Sequence, residues 1–318
     1  MVSTILECVT RFLHCNYLIS LQYTLVEYTH TMKLATSLLS YIPFLHGIHY
    51  KKTIIDIGPE FKVSKYYDNY DISVASLPCS HETTKCAIFI PGIDMSGLSV
   101  CPHVYRLSEE MDTYTIVSHD SKFPDMHDMV NCVDDLVDDI CDKYEEISFV
   151  GESCGAIIAL NSIGDCKDKV KQLILLNPAT EFWRMENKED VSKKLTSPID
   201  IMKNSPRFSD MSQSIRDIGR HGYYMSLVYM IYNQLFLSPV SIIHRVDKWM
   251  GETESMTMKC LQDIQCVVKV IIGEKDGLIP QNDCHLTFEK IENFKEIVIS
   301  DGTHLITPNL MNIFDVFN

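Results

Sequence analysis

Residues 147–160 read Ile147-Ser148-Phe149-Val150-Gly151-Glu152-Ser153-Cys154-Gly155-Ala156-Ile157-Ile158-Ala159-Leu160. An apolar run enters the pattern G-x-S-x-G and a second apolar run leaves it. A strand, a tight turn bearing a serine, and a helix are the layout of a nucleophile elbow. The turn needs small residues because the strand and helix backbones pass close together, and glycine tolerates both the crowding and a strained φ/ψ. The serine then stands at the C-terminal edge of a sheet, near the positive end of the following helix.

Outward from this stretch the chain alternates between short apolar runs and helical periodicity. Residues 53–57 and 71–77 read as an opening antiparallel pair. Buried strands follow at 86–90 and 114–118, then a helix over 125–144 with Met129, Val133, Leu136, Val137, Ile140 and Cys141 on one face. Its other face carries Asp128, Asp134, Asp135, Asp138, Asp139 and Asp142 and reads as solvated. After the strand 147–150, the elbow helix runs to about 163. Further strands are expected at 170–176, 267–272 and 296–300, with a helix near 285–291. Such β/α alternation implies a mostly parallel sheet with helices on both faces. Residues 182–258 lack strand signals and read as an inserted helical cap.

A serine hydroxyl becomes a nucleophile when a base takes its proton, and the base must be oriented by a third group. With Ser153 as nucleophile, the expected chain order is serine, acid, histidine. The acid is Asp276, in Gly273-Glu274-Lys275-Asp276-Gly277-Leu278-Ile279-Pro280, just past the strand 267–272. Its bland reading is a turn aspartate making an Asx-type bond, and Glu274 is the fallback acid. The base is His304, in Ser300-Asp301-Gly302-Thr303-His304 after the last strand. An oxyanion hole needs two backbone N–H groups. Cys154 supplies one, and the loop Pro91-Gly92-Ile93-Asp94-Met95-Ser96-Gly97-Leu98 the other, from Ile93 or alternatively Asp94. Asp94, Met95 and Trp183 are expected to touch the substrate. Cys154 is a competing nucleophile, since it also sits at a helix N-terminus.

These residues resemble the α/β-hydrolase superfamily. More narrowly, Phe89-Ile90-Pro91-Gly92-Ile93-Asp94-Met95-Ser96-Gly97-Leu98, Val150-Gly151-Glu152-Ser153-Cys154-Gly155, Leu176-Asn177-Pro178-Ala179-Thr180, the segment 273–280 and Gly302-Thr303-His304-Leu305 resemble one plant group. It is the hydrolase half of phytyl ester synthase/diacylglycerol acyltransferase-like esterase–lipase–thioesterase proteins. The likeness covers about 84–310. It implies hydrolysis or transfer of long-chain acyl groups through an acyl-serine. The second, acyltransferase domain of that group is expected to be absent, and Cys154 and Ala156 stand where the group tends to have an aromatic residue and a glycine.

The remaining composition narrows the function classes. Lys and Arg number 28 against 43 Asp and Glu, for a net charge of −15. That balance argues against nucleic acid, which needs clustered cations. The 12 cysteines show no zinc-ligand spacing and read as free thiols of a reducing, cytoplasmic compartment. No metal cluster or phosphate-cradling glycine motif is present, so neither metal nor cofactor is expected. Residues 1–50 are apolar, and with histidine counted as neutral their only charged side chains are Glu7, Arg11, Glu27 and Lys33. Their longest charge-free runs, 12–26 and 34–50, fall short of the roughly 20 residues that cross a bilayer. Two amphipathic helices are expected there, packed on the main domain at 51–318 or lying on a lipid surface. The leading expectation is a serine-dependent acyl hydrolase or acyltransferase with a lipid-like ester as partner. The alternative is a non-catalytic relative that binds a lipid or a protein.

Overall fold

The computed structural model describes residues 62–93, 95, 104, 107–118, 122–162, 166, 168–180, 239–260, 264–276, 278, 287–289, 291–299 and 304. Eight strands form one sheet: β1 (Lys62–Tyr67), β2 (Ile72–Leu77), β3 (Lys85–Ile90), β4 (Asp112–Ser118), β5 (Glu146–Glu152), β6 (Val170–Leu176), β7 (Val267–Gly273) and β8 (Phe294–Ile299). Their spatial order is β1-β2-β4-β3-β5-β6-β7-β8. Strand β2 runs antiparallel to both its neighbours, and every other pairing is parallel. The partner of β2 is therefore Lys62–Tyr67, not the expected 53–57, which lies outside the described residues.

The inner strands read as continuous apolar runs because both faces are covered. On β3, Cys86, Ile88 and Ile90 join one core cluster while Ala87 and Phe89 join the other. On β5, Ile147 and Phe149 face the first cluster and Val150 the second. The first face is covered by helices α1 (Met126–Ile140), α2 (Cys154–Asn161) and α3 (Pro239–Cys260), all of which contribute to that cluster. The second holds Val104, Leu107 and Met111. Helix α2 is apolar all round, with every residue from Cys154 to Leu160 buried. Burying an Ile or Leu side chain stabilises by about 1.5–3 kcal/mol, so Ile157, Ile158 and Leu160 help to hold α2 in the first core cluster.

Helix α1 begins with a capping box: Asp125 accepts the Asp128 N–H at 2.8 Å, and Asp128 accepts the Asp125 N–H at 3.1 Å. On its acidic face Asp135 and Asp138 are exposed, and Asp139, also exposed, pairs with Lys65 and accepts the Tyr67 hydroxyl at 2.8 Å, tying α1 to the edge strand β1.

Helix α3 overlaps the end of the expected cap, 239–258. Its stretch within 239–258 is a crossover helix of the core, with Ile242, Val246, Trp249 and Met256 buried in the first cluster. The Trp249 indole N–H donates to the Pro124 carbonyl at 3.3 Å, and Glu252 accepts the Met126 N–H at 3.1 Å. These bonds dock α3 on the start of α1. The rest of the expected cap, 182–238, and the segment 1–50 lie outside the described residues.

Candidate active site

The elbow is built by close approach. A Cβ on Gly155 would stand 2.3 Å from the carbonyl oxygens of both Ile90 and Pro91, and one on Gly151 would stand 2.5 Å from the Ala156 Cα. Both glycines are needed for space. The left-handed backbone falls instead on Ser153, with φ 53° and ψ −119°. Such strain persists where the surroundings enforce it. Here the Ser153 N–H donates to the Leu176 carbonyl at 2.8 Å, and the Ser153 carbonyl accepts the N–H groups of Ala156 at 3.1 Å and Ala179 at 3.0 Å.

Ser153, Asp276 and His304 meet at the C-terminal edge of the sheet. The His304 Nε2 lies 3.0 Å from the Ser153 Oγ, and the His304 Nδ1 lies 2.8 Å from the Asp276 Oδ2. An ionised carboxylate only accepts, so Nδ1 carries the ring proton and Nε2 accepts from the serine hydroxyl. The other Asp276 oxygen accepts the Leu278 N–H at 2.8 Å, so the Asx-type bond and the histidine contact coexist. Glu274 is exposed on the same turn and takes no part.

Both members of the acid–base pair are buried, Asp276 to 1% and His304 to 7% side-chain exposure. Burial lowers the basicity of His304. The charge of Asp276, its hydrogen bond and the charge of Glu152 outweigh that effect and hold the imidazole above its ordinary value of 6.5. Burial pushes the Cys154 thiol up to about 12, against the lowering effects of Ser153 and Arg245. The elbow sets the Ser153 hydroxyl, and not the buried Cys154 thiol, against His304 Nε2, so the geometry favours Ser153 as the candidate nucleophile.

The loop after β3 lies against the serine: a Cβ on Gly92 would be 3.4 Å from the Ser153 Cβ. Ile93 follows it, and its carbonyl accepts the Arg245 Nη1 of α3 at 2.8 Å. Met95 has a left-handed backbone with φ 47°. It donates its N–H to the Gly92 carbonyl at 2.9 Å and accepts the Ser118 N–H at 2.9 Å. Its side chain is wholly buried in the first core cluster. Asp94 and Trp183 lie outside the described residues.

Sequence reading missed two residues. Arg245 is fully buried beside the Trp249 ring and braces the loop through Ile93. Its signal is a cation within the stripe Ile242, Val246, Trp249. Asn177, known only as part of a motif, has a side chain that bonds to the His304 carbonyl.

No protein-family model and no functionally curated protein matches the sequence. Solved structures do. MGS-M2, an α/β hydrolase enzyme from a Medee basin deep-sea metagenome library, superposes with a TM-score of 0.58 at 17% identity, over 79% of this chain and 94% of its own. A thermophilic esterase from Thermogutta terrifontis gives 0.57 at 16% identity, over 80% and 96%. A membrane phospholipase A, a bacterial virulence factor, gives 0.58 at 13% identity, over 92% and 96%. The chain has the α/β-hydrolase fold.

Proposed function

We propose that the chain is a serine-dependent ester hydrolase of the lipase, esterase or thioesterase kind, acting on lipid-like acyl substrates through an acyl-Ser153 intermediate. An alcohol in place of water as acceptor would make the same site an acyltransferase. The observation that carries the reading is the relay Ser153 Oγ–His304 Nε2–Asp276 at 3.0 and 2.8 Å on an elbow with positive φ.

In this reading Ser153 Oγ attacks the acyl carbonyl and its proton passes to His304 Nε2. The Asp276 carboxylate balances the imidazolium that forms. The carbonyl π pair moves to oxygen, where the N–H groups of Cys154 and Ile93 receive it, aided by the N-terminus of α2. Collapse expels the alcohol or thiol, which takes the proton from His304. Water, deprotonated by His304, then attacks the acyl-serine, the C–Oγ bond breaks, and His304 returns the proton to Ser153 Oγ as the acid is released.

The lipid-like substrate rests on the apolar run 223–237, on the apolar 1–50 and on neighbours that include a phospholipase and a thioesterase domain. Contact of 1–50 with a lipid surface belongs to the same reading. No described helix is long and apolar enough to cross a membrane. The described cysteines are free, which fits a reducing compartment. The test is labelling with a fluorophosphonate followed by intact-mass analysis. The wild type should gain one adduct at Ser153 and Ser153→Ala none; equal labelling of the two would remove Ser153 from its role.

A further inference from the structure

Strand β6 contributes no side chain to the Ser153–His304–Asp276 relay, yet it runs between the strand that ends in the serine turn and the strand that leads to Asp276. Its last residue, Leu176, accepts the Ser153 N–H. The next residue, Asn177, is wholly buried and has φ 41°, a conformation in which asparagine is enriched among non-glycine residues. The Asn177 main-chain N–H donates to the Ile271 carbonyl of β7 at 2.8 Å. Its Nδ2 donates to the His304 main-chain carbonyl at 2.7 Å, and its Oδ1 accepts the Gly273 N–H at 2.8 Å. The two partners fix the orientation of the amide, since a carbonyl needs a donor and an N–H needs an acceptor.

The bonds close a ring. The Asp276 N–H donates to the Gly273 carbonyl at 3.0 Å, Gly273 donates to Asn177, Asn177 donates to His304, and His304 Nδ1 returns to the Asp276 carboxylate. Asp276 and His304 follow different strands, and the direct tie described between them is the Nδ1–carboxylate bond that the proposed chemistry would load and unload. The amide supplies a second tie, through the backbone of both. We propose that Asn177 is a positioning residue that sets the separation of the acid and base loops and so holds His304 Nε2 on the Ser153 hydroxyl. This rests on the serine-hydrolase reading above. The role needs a neutral side chain of this length with one donor end and one acceptor end. An aspartate loses the donor when ionised, and a glutamine is one methylene too long.

The experiment compares wild type with Asn177→Gly, which accepts the left-handed backbone and removes both side-chain bonds. Fluorophosphonate labelling rate and p-nitrophenyl ester kinetics are followed against pH, with folding checked by circular dichroism. Displacing a reacting group by about 1 Å costs about 100-fold, and a fall of that order is expected in the labelling rate and in kcat, with KM little changed. The acid limb of the profile should move to lower pH, because a His304 out of register with Asp276 loses the partner that holds its basicity up. A purely structural asparagine would lower the melting temperature but leave the rate per folded molecule and the limb at wild-type values, and that result overturns the proposal. Should Asn177→Gly not fold, Asn177→Asp keeps the backbone and the acceptor for Gly273, and an unchanged labelling rate at alkaline pH overturns the proposal equally. A wild type with no Ser153 adduct overturns the hydrolase reading and this one with it. An adduct in the wild type with equal rates in the variant overturns only the role of Asn177.

Discussion

Asp276 divides its two carboxylate oxygens between the Leu278 N–H at 2.8 Å and the His304 ring at 2.8 Å. One oxygen fixes the acid and the other fixes the base. Asp276→Asn keeps the shape and loses the charge, and its amide favours the wrong ring tautomer, so kcat/KM for a p-nitrophenyl ester should fall by about 10⁴-fold. The sign of the pH effect follows from the raised His304 basicity. In the proposed mechanism the base works when neutral, so the wild-type rate should rise with pH through a limb above 6.5, the ordinary value for histidine. Removing the Asp276 charge leaves burial less opposed, and the residual activity of the variant should show a limb at lower pH. A limb that does not move would mean that another group titrates. At this scale Ser153, Asp276 and His304 were readable because each follows a strand that the apolar pattern marks. Asn177 was readable only as a motif member, because nothing local signals where a side-chain amide reaches across three strands. Arg245 was readable in principle, as a charge on a helical stripe otherwise filled by Ile242, Val246 and Trp249.

Two glycines on helices α2 and α3 should respond to alanine in opposite directions. Gly155 sits where a Cβ would meet two carbonyl oxygens at 2.3 Å, both of them backbone. Strand β3 and α2 must part to admit it, and overpacking of this kind costs about 1–3 kcal/mol or more. Gly155→Ala is therefore expected to lower the melting temperature and to slow labelling of Ser153. Gly251 lies inside α3, exposed, with nothing within 4 Å of a Cβ. Gly251→Ala should raise stability by about 0.5–1 kcal/mol with labelling unchanged. The same thermal melts check both; equal shifts would mean that crowding at the elbow is not what the serine turn depends on. Element by element, the buried strands were legible because an apolar run of that length, bounded by turn residues, has few other readings. Strand β1 was not. A register irregularity between Val63 and Lys65 breaks its alternation, and lysines mark it as an edge. Nor does an apolar stripe on a helix say whether it faces a sheet or a substrate, which is why α3 read as part of a cap.

At the scale of the whole molecule, the fold was legible because several independent signals agreed on one sheet edge: the glycine-flanked serine, an acid and a histidine each after a later strand, and a Pro-Gly loop after an earlier one. The acyl group was less legible, because substrate preference is set by surfaces that a fold does not fix. In the proposed function the apolar run 223–237 would supply a dry acyl groove. On that ground kcat/KM should rise along a series of p-nitrophenyl esters from acetate to palmitate. A flat or falling series would mean that the acyl chain is not the part recognised. One consequence of the His304 environment reaches beyond the site itself. Hydrolysis of an ester liberates a carboxylic acid and hence a proton, whereas transfer of the acyl group to an alcohol liberates none. If His304 is the proposed base it must stay neutral, and with its basicity held up by its neighbours it would be silenced by the acid that turnover releases. In weak buffer hydrolysis would thus slow itself while transfer would not, a form of feedback that needs no second binding site and that a pH electrode alone can read.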